Sequence, residues 1–195
     1  MNSDPRLSTS PDPSQVRRGR LILVLIFLLF FGTIAAAGIL RFSGWQPQGT
    51  KVHGEMLRPA VDARAVVPKL ASGGDYAWQP AERMWRIAVA PPASCTAACT
   101  RLARDLDVVW QLFGNKADHV EILWIGTLPA GAPPTAARRV LQPTPELMRA
   151  LPRVDDPAGI PVYVIDPNGF VILRYAPGTD PGSIRTDVAK LLKLI

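Results

Sequence analysis

Residues 85–113 read WRIAVAPPASCTAACTRLARDLDVVWQLF. Trp85 to Ala90 is a short strand-like run, apolar but for Arg86, that predicts a buried strand, stopped by Pro91-Pro92. From Thr100 to Phe113 the apolar residues follow a helical period. Leu102, Leu106, Val109, Trp110 and Phe113 share one face. Between strand and helix lie Cys95 and Cys99, the only two cysteines of the chain. A cysteine pair spaced by four, opening a helix behind a buried strand, is a redox or metal-binding arrangement. The competing readings are a structural disulfide, or two thiols used as small core residues. Little else in the chain can do chemistry. There is no nucleotide-binding glycine loop, no zinc spacing and no Ser/His/Asp arrangement that can be placed from sequence.

Working outward, Val120–Ile125 is a run with β-branched residues, apolar but for Glu121, suited to a strand buried on both faces. Residues 129–145 read as a Pro/Ala-rich connection. Thr144 with Pro145 predicts a helix start, and the helix runs to about Leu151. Pro161–Ile165 and Phe170–Tyr175 are strands joined by Asp166-Pro167-Asn168-Gly169, whose Pro and Gly suit a tight turn. Asp180 and Pro181 open a last helix to Leu194, with Ile184, Val188, Leu191 and Leu192 inward. Trp78, Trp85, Trp110 and Trp124 read as core or lid aromatics. The order is strand, helix, strand, helix, strand, strand, helix. This predicts an α/β, thioredoxin-like fold over residues 81–195, a central mixed sheet flanked by helices. The Cys pair falls where that fold places its active site.

Leu21 to Leu40 carries no charge over twenty residues. As a helix it spans the roughly 30 Å of a bilayer core. Arg17, Arg18 and Arg20 precede it and only Arg41 follows closely, which places the N-terminus in the cytoplasm. Residues 1–20 then form a polar cytoplasmic tail, 21–40 a transmembrane helix, and 41–80 a stalk with loops and a short hairpin. A cleaved signal peptide is the alternative, since Ala35-Ala36-Ala37 fits a small-x-small site. Both readings export the same domain, where two cysteines can meet as one disulfide. The formal charge of +6 is scattered, without a basic run interleaved with aromatics, which argues against nucleic-acid binding.

Residues 85–195, together with the anchor, resemble the Sco/SenC family of membrane-anchored thioredoxin-fold proteins, copper chaperones and thiol-disulfide proteins that assist assembly of cytochrome c oxidase. The resemblance rests on the single N-terminal anchor, on the Cys-x-x-x-Cys spacing of Cys95 and Cys99, and on Val162-Tyr163-Val164-Ile165-Asp166-Pro167-Asn168-Gly169, similar to the Tyr-Leu-Ile-Asp-Pro-Asp-Gly hairpin of these proteins. Gly54-Glu55-Met56-Leu57-Arg58-Pro59 is a shorter match, to a Gly-Glu-Leu-x-x-Pro segment of anchored proteins. The resemblance implies a bacterial inner membrane protein with a periplasmic C-terminal domain. It also implies a bilayer partner through residues 21–40, and an oxidase subunit or another assembly factor as protein partner. Copper held by Cys95 and Cys99 is the implied metal.

The family's third copper ligand is a distant His before the hairpin. Here that region reads Arg153-Val154-Asp155-Asp156-Pro157-Ala158-Gly159-Ile160-Pro161, without His. The chain's two histidines, His53 and His119, lie elsewhere. A third ligand would have to be Asp155, Asp156, a methionine or a partner's group. Gly159-Ile160-Pro161 instead resembles the Gly-x-Pro of thioredoxin-like disulfide reductases, which implies a cis-Pro161 facing the Cys pair as a third site residue.

Four residues make about one helical turn, so Cys95 and Cys99 share a face. A Cys95 at the cap or first turn is favoured as thiolate by free backbone N–H groups and the helix dipole. That makes Cys95 the nucleophile and Cys99 the resolving thiol. Thiolates also suit cuprous copper. Three functions follow: an oxidase assembly factor handling copper or reducing the thiols of its site, a general envelope thiol-disulfide oxidoreductase, or a non-catalytic scaffold with a structural disulfide.

Overall fold

The computed structural model describes residues 13–43 and 52–194; the expected tail over residues 1–12 lies outside them. Two compact units divide the chain, Met1–Thr50 and Lys51–Ile195. In the first, α1 runs Pro13–Phe42 as one helix. Its stretch Arg17–Phe42, 26 residues, is long and apolar enough to cross a membrane, spanning about 39 Å. Residues 13–20, expected in the tail, are helical. Proline is tolerated in a first turn, and nothing breaks the helix between Ser14 and Arg20.

In the second unit the elements follow in the order β1 (Glu55–Asp62), β2 (Trp85–Val89), α2 (Ala97–Gln111), β3 (Val120–Ile125), β4 (Arg138–Leu141), α3 (Pro145–Arg149), β5 (Val162–Ile165), β6 (Phe170–Tyr175) and α4 (Pro181–Leu191). The six strands form one mixed sheet in the order β1-β6-β5-β2-β3-β4. β2, β3 and β4 run parallel. β5 pairs antiparallel with β2 and with β6, and β1 antiparallel with β6.

Every position of β2 and β5 is buried, and β3 is buried at all but Glu121. Such strands need cover on both faces. α2 and α4 supply one face through Leu106, Val109, Ile184 and Val188 against Ile87, Ile122, Trp124 and Val164. α3 and the segment 63–78 supply the other, where Leu147, Leu151, Tyr76 and Trp78 meet Leu123, Ile125, Tyr163 and Ile165. The thioredoxin-like architecture read from the sequence is therefore the one found. The Asp166–Gly169 turn is also found. Asp166 Oδ1 accepts the Phe170 N–H at 2.8 Å, and Gly169 takes φ +99°, a conformation few other residues adopt.

Two expectations are corrected. The 129–145 connection contains β4, whose four residues extend the parallel sheet beyond β3. The segment 41–80 is not all stalk and loops. Glu55–Asp62 is an edge strand of the main sheet, and the compact unit begins at Lys51 rather than at 81. Residues 44–51 lie outside the described residues. Both missed strands pair with partners distant in sequence, and β1 carries Arg58-Pro59 in its middle, which breaks any alternation. At smaller scale, α3 stops at Arg149, and Asp180 makes no side-chain capping bond although it precedes α4.

Candidate functional site at the start of α2

β2 is buried in mid-sheet, with Val89 opposite Trp124 and Val162. The chain leaves it through Pro91-Pro92, which cannot continue a ladder. A turn follows, with the Cys95 N–H donating to Pro92 O at 3.0 Å. Helix α2 begins at Ala97, with Thr96 as its cap residue and no side-chain capping bond. Cys95 therefore precedes the cap, and Cys99 is the third helical residue. The expectation that both cysteines share a helical face is corrected in that detail. Backbone curvature at the cap brings them together instead, with Cα atoms 5.8 Å apart.

They form a disulfide, S–S 2.08 Å, within the usual separation for such a bond. The two sulfurs differ in setting. Cys99 is 1% exposed among Ala103, Leu106 and the core below α2, whereas Cys95 is only half-buried. The first N–H groups of α2 have no intrahelical acceptor, and Thr96 leaves them uncapped. A thiolate released here therefore sits at the positive end of a helix.

The other expected site residue is Pro161. Gly159 and Ile160 line a groove of about 430 Å³ against Ala98, Arg101 and Leu102 of α2. Pro161 follows, buried at the head of β5. Its cis conformation is corrected. The one cis peptide among the described residues is Arg58–Pro59, so Ile160–Pro161 is trans. Trans is the favoured form of an X–Pro bond, and β5 leads directly out of it.

The stretch examined for a third copper ligand is committed elsewhere. Asp156 pairs with the Arg174 guanidinium and accepts the Ala158 N–H at 2.9 Å. The Ala158 N–H, then Arg174, hold its carboxyl below the ordinary range against the cost of burial. Asp155 is exposed. His119 is exposed too, at the entrance to β3. Among the described residues no three His, Cys, Asp or Glu side chains gather. The donor set does not fit the three-ligand copper centre that the resemblance implies.

His53, remote in sequence from the cysteine pair, is half exposed but has a partner that sequence reading missed. Its N–H and its ring Nδ1 lie 2.6 and 3.1 Å from the carboxylate of Asp187 on α4. Asp187 is fully buried. Its only sequence signal was a charge on an otherwise apolar helical face. Arg86 was missed likewise: a charged residue inside the most buried strand.

The sequence profile of the transmembrane-like, thioredoxin-like C-terminal domain family matches residues 85–195, from the first residue of β2 onward. The chain belongs to this family. No curated protein matches the sequence. Among solved structures, BsSco is a member of the Sco family of cytochrome c oxidase assembly proteins in which a disulfide switch was identified. It is 12% identical, with TM-score 0.52, over 73% of this chain and 98% of its own. Copper-bound yeast Sco1 is 16% identical, with TM-score 0.51, over 75% of this chain and 96% of its own. Trgpx in its apo form is 15% identical, with TM-score 0.50, over 68% and 95%. At these identities the chain shares a fold with these proteins, and the likeness extends no further.

Proposed function

We propose that this chain is a membrane-tethered thiol-disulfide protein. Its Cys95–Cys99 pair exchanges with the cysteines of a partner in cytochrome c oxidase assembly, on the periplasmic side of a bacterial inner membrane. One observation carries the reading: the disulfide joins a half-buried Cys95, just before a helix N-terminus, to a Cys99 that is 1% exposed. A sulfur open to attack backed by a shielded one is what directed exchange needs. The Sco likeness supports the choice of partner, and Arg17, Arg18 and Arg20, near the start of α1 and ahead of its uncharged stretch, support the orientation.

In the reduced chain the Cys95 thiolate attacks a partner disulfide. A Cys95–partner bond forms, and the partner's first thiolate leaves. Cys99 then loses its proton to solvent and attacks Cys95 Sγ, releasing the partner's second thiolate. The Cys pair is oxidised to the disulfide and the partner is reduced by two electrons. The reverse sequence oxidises a partner dithiol, with attack on Cys95 Sγ and Cys99 leaving at the helix end. No step passes through copper, because the side chains around the pair supply no third ligand.

The test is a redox titration of the full chain against glutathione, with trapping of mixed disulfides. Cys99→Ser is expected to accumulate a covalent adduct through Cys95, and Cys95→Ser is not. A potential below about −300 mV with slow exchange would mark a structural bond and overturn the proposal.

A further inference from the structure

Outside α1, the exposed large apolar side chains among the described residues are Met56, Val67, Val108, Leu112 and Leu194. Three of the five belong to one end of the α2–α4 layer. Val108 and Leu112 lie four apart on α2, hence on one face, 48% and 55% exposed, and Leu194 follows α4 at 76%. The Lys116 ammonium donates to Leu192 O at 2.8 Å, which holds the ends of the two helical segments side by side.

The frame around these side chains is basic. Arg104, one turn before Val108, and Lys193, beside Leu194, are exposed, and neither has an ion-pair partner among the described residues. Lys116 adds a third cation. Asp118 is the nearby exposed acid. Apolar side chains flanked by cations that make no ion pair are suited to the interface of an anionic bilayer. There the apolar groups enter the headgroup boundary and the cations meet phosphates.

The start of the second unit is fastened to the same helical layer. Val52 packs against the core beneath α2 and α4, and the next residue, His53, is bonded to Asp187 of α4. The helical layer that carries the patch is thus the layer to which the tether is fastened.

We infer that the Val108–Leu112–Leu194 surface, framed by Arg104, Lys116 and Lys193, docks on anionic lipid headgroups and sets how the domain stands on its membrane. This rests on α1 spanning the bilayer and is independent of the thiol chemistry. The test uses the full chain in nanodiscs, with the photocrosslinker p-benzoylphenylalanine replacing Leu112 and, as an equally exposed apolar control on the other face, Val67.

Lipid adducts are expected at 112 and not at 67 in phosphatidylglycerol discs. The yield should fall in phosphatidylcholine discs and drop about fivefold for each of Arg104→Glu and Lys193→Glu. Retention of the chain in the discs through an alkaline wash, with no adduct at 112 above that at 67, overturns the surface alone. Loss of the chain in that wash overturns the anchor and the surface together. Adducts at 112 to a protein from added membrane extract, with none to lipid, show an acidic protein partner and overturn the lipid assignment.

Discussion

Asp187 of α4 accepts from five donors on four residues, and His53, which supplies two of them, is the first of these residues in the chain. Gly54 N–H donates at 3.1 Å, Tyr175 O–H at 3.3 Å and the Lys190 ammonium at 3.1 Å. The Tyr175 ring also lies where a side chain on Gly54 would be, 2.8 Å from an added Cβ. A carboxylate with no exposure is thus the fastening between the start of the domain, β6 and α4.

Loss of that carboxylate leaves several donors unpaired. Asp187→Ala is expected to destabilise the domain by about 3 to 5 kcal/mol, measured by urea unfolding. Burial raises the Asp187 pKa, but bonds from Gly54, Lys190 and His53 outweigh it, so the folded value lies below the ordinary one. Its contribution is complete above the unfolded carboxylate range, near pH 4, and is lost as pH falls through the lower folded value. Asp187→Asn should lose this acid-side dependence, and an unchanged profile would contradict the assignment.

Arg86 is 1% exposed, and its guanidinium reaches the carbonyls of Trp78, Met84, Asp166 and Pro167 and the hydroxyl of Tyr76. It ties the hairpin turn and segment 76–84 to β2. Arg86→Met strands these acceptors and should cost about 3 kcal/mol or more, seen as a lower urea midpoint. Burial, the largest influence on Tyr76, raises its phenol pKa well above the usual value. The hydroxyl should stay protonated when alkaline absorbance titration has ionised ordinary tyrosines.

Gly169 combines φ +99° with a Trp78 ring 3.2 Å from where a Cβ would sit. Gly169→Ala meets both the backbone penalty and the indole. A loss of about 1 to 3 kcal/mol is expected, read from thermal unfolding. Gly73, at φ +96° with open space, meets only the backbone penalty, so its alanine variant should lose less.

Asp156 is bound to Arg174, whose side chain is 3% exposed. Asp156→Ala should therefore lower Tm and leave cuprous affinity of the reduced chain unchanged in a chelator competition. A weaker affinity would restore Asp156 as a ligand. In the reduced chain iodoacetamide should modify Cys95 well before Cys99, since Cys99 is closed in by the core. Equal rates, followed by mass spectrometry, would contradict the exchange order.

What could be read in the chain was what short-range physics sets. The run Val120–Ile125, apolar but for Glu121, is a strand buried at every other position. The periodicity of α2 shows its inward side, Asp166–Gly169 turns because of Pro and Gly, and Leu21–Leu40 carries no charge. These signals lie within a few residues of each other and were enough to place the Cys pair at the head of α2 in a thioredoxin-like sheet. Tertiary structure decided the rest. β1 and β4 are strands because a sheet edge offers them partners in β6 and β3. Arg86, Arg174 and Asp187 are buried because carbonyls or countercharges from remote segments meet them there. Cys95 is the less buried cysteine and Cys99 the closed one because the core, not their spacing, covers Cys99 more completely.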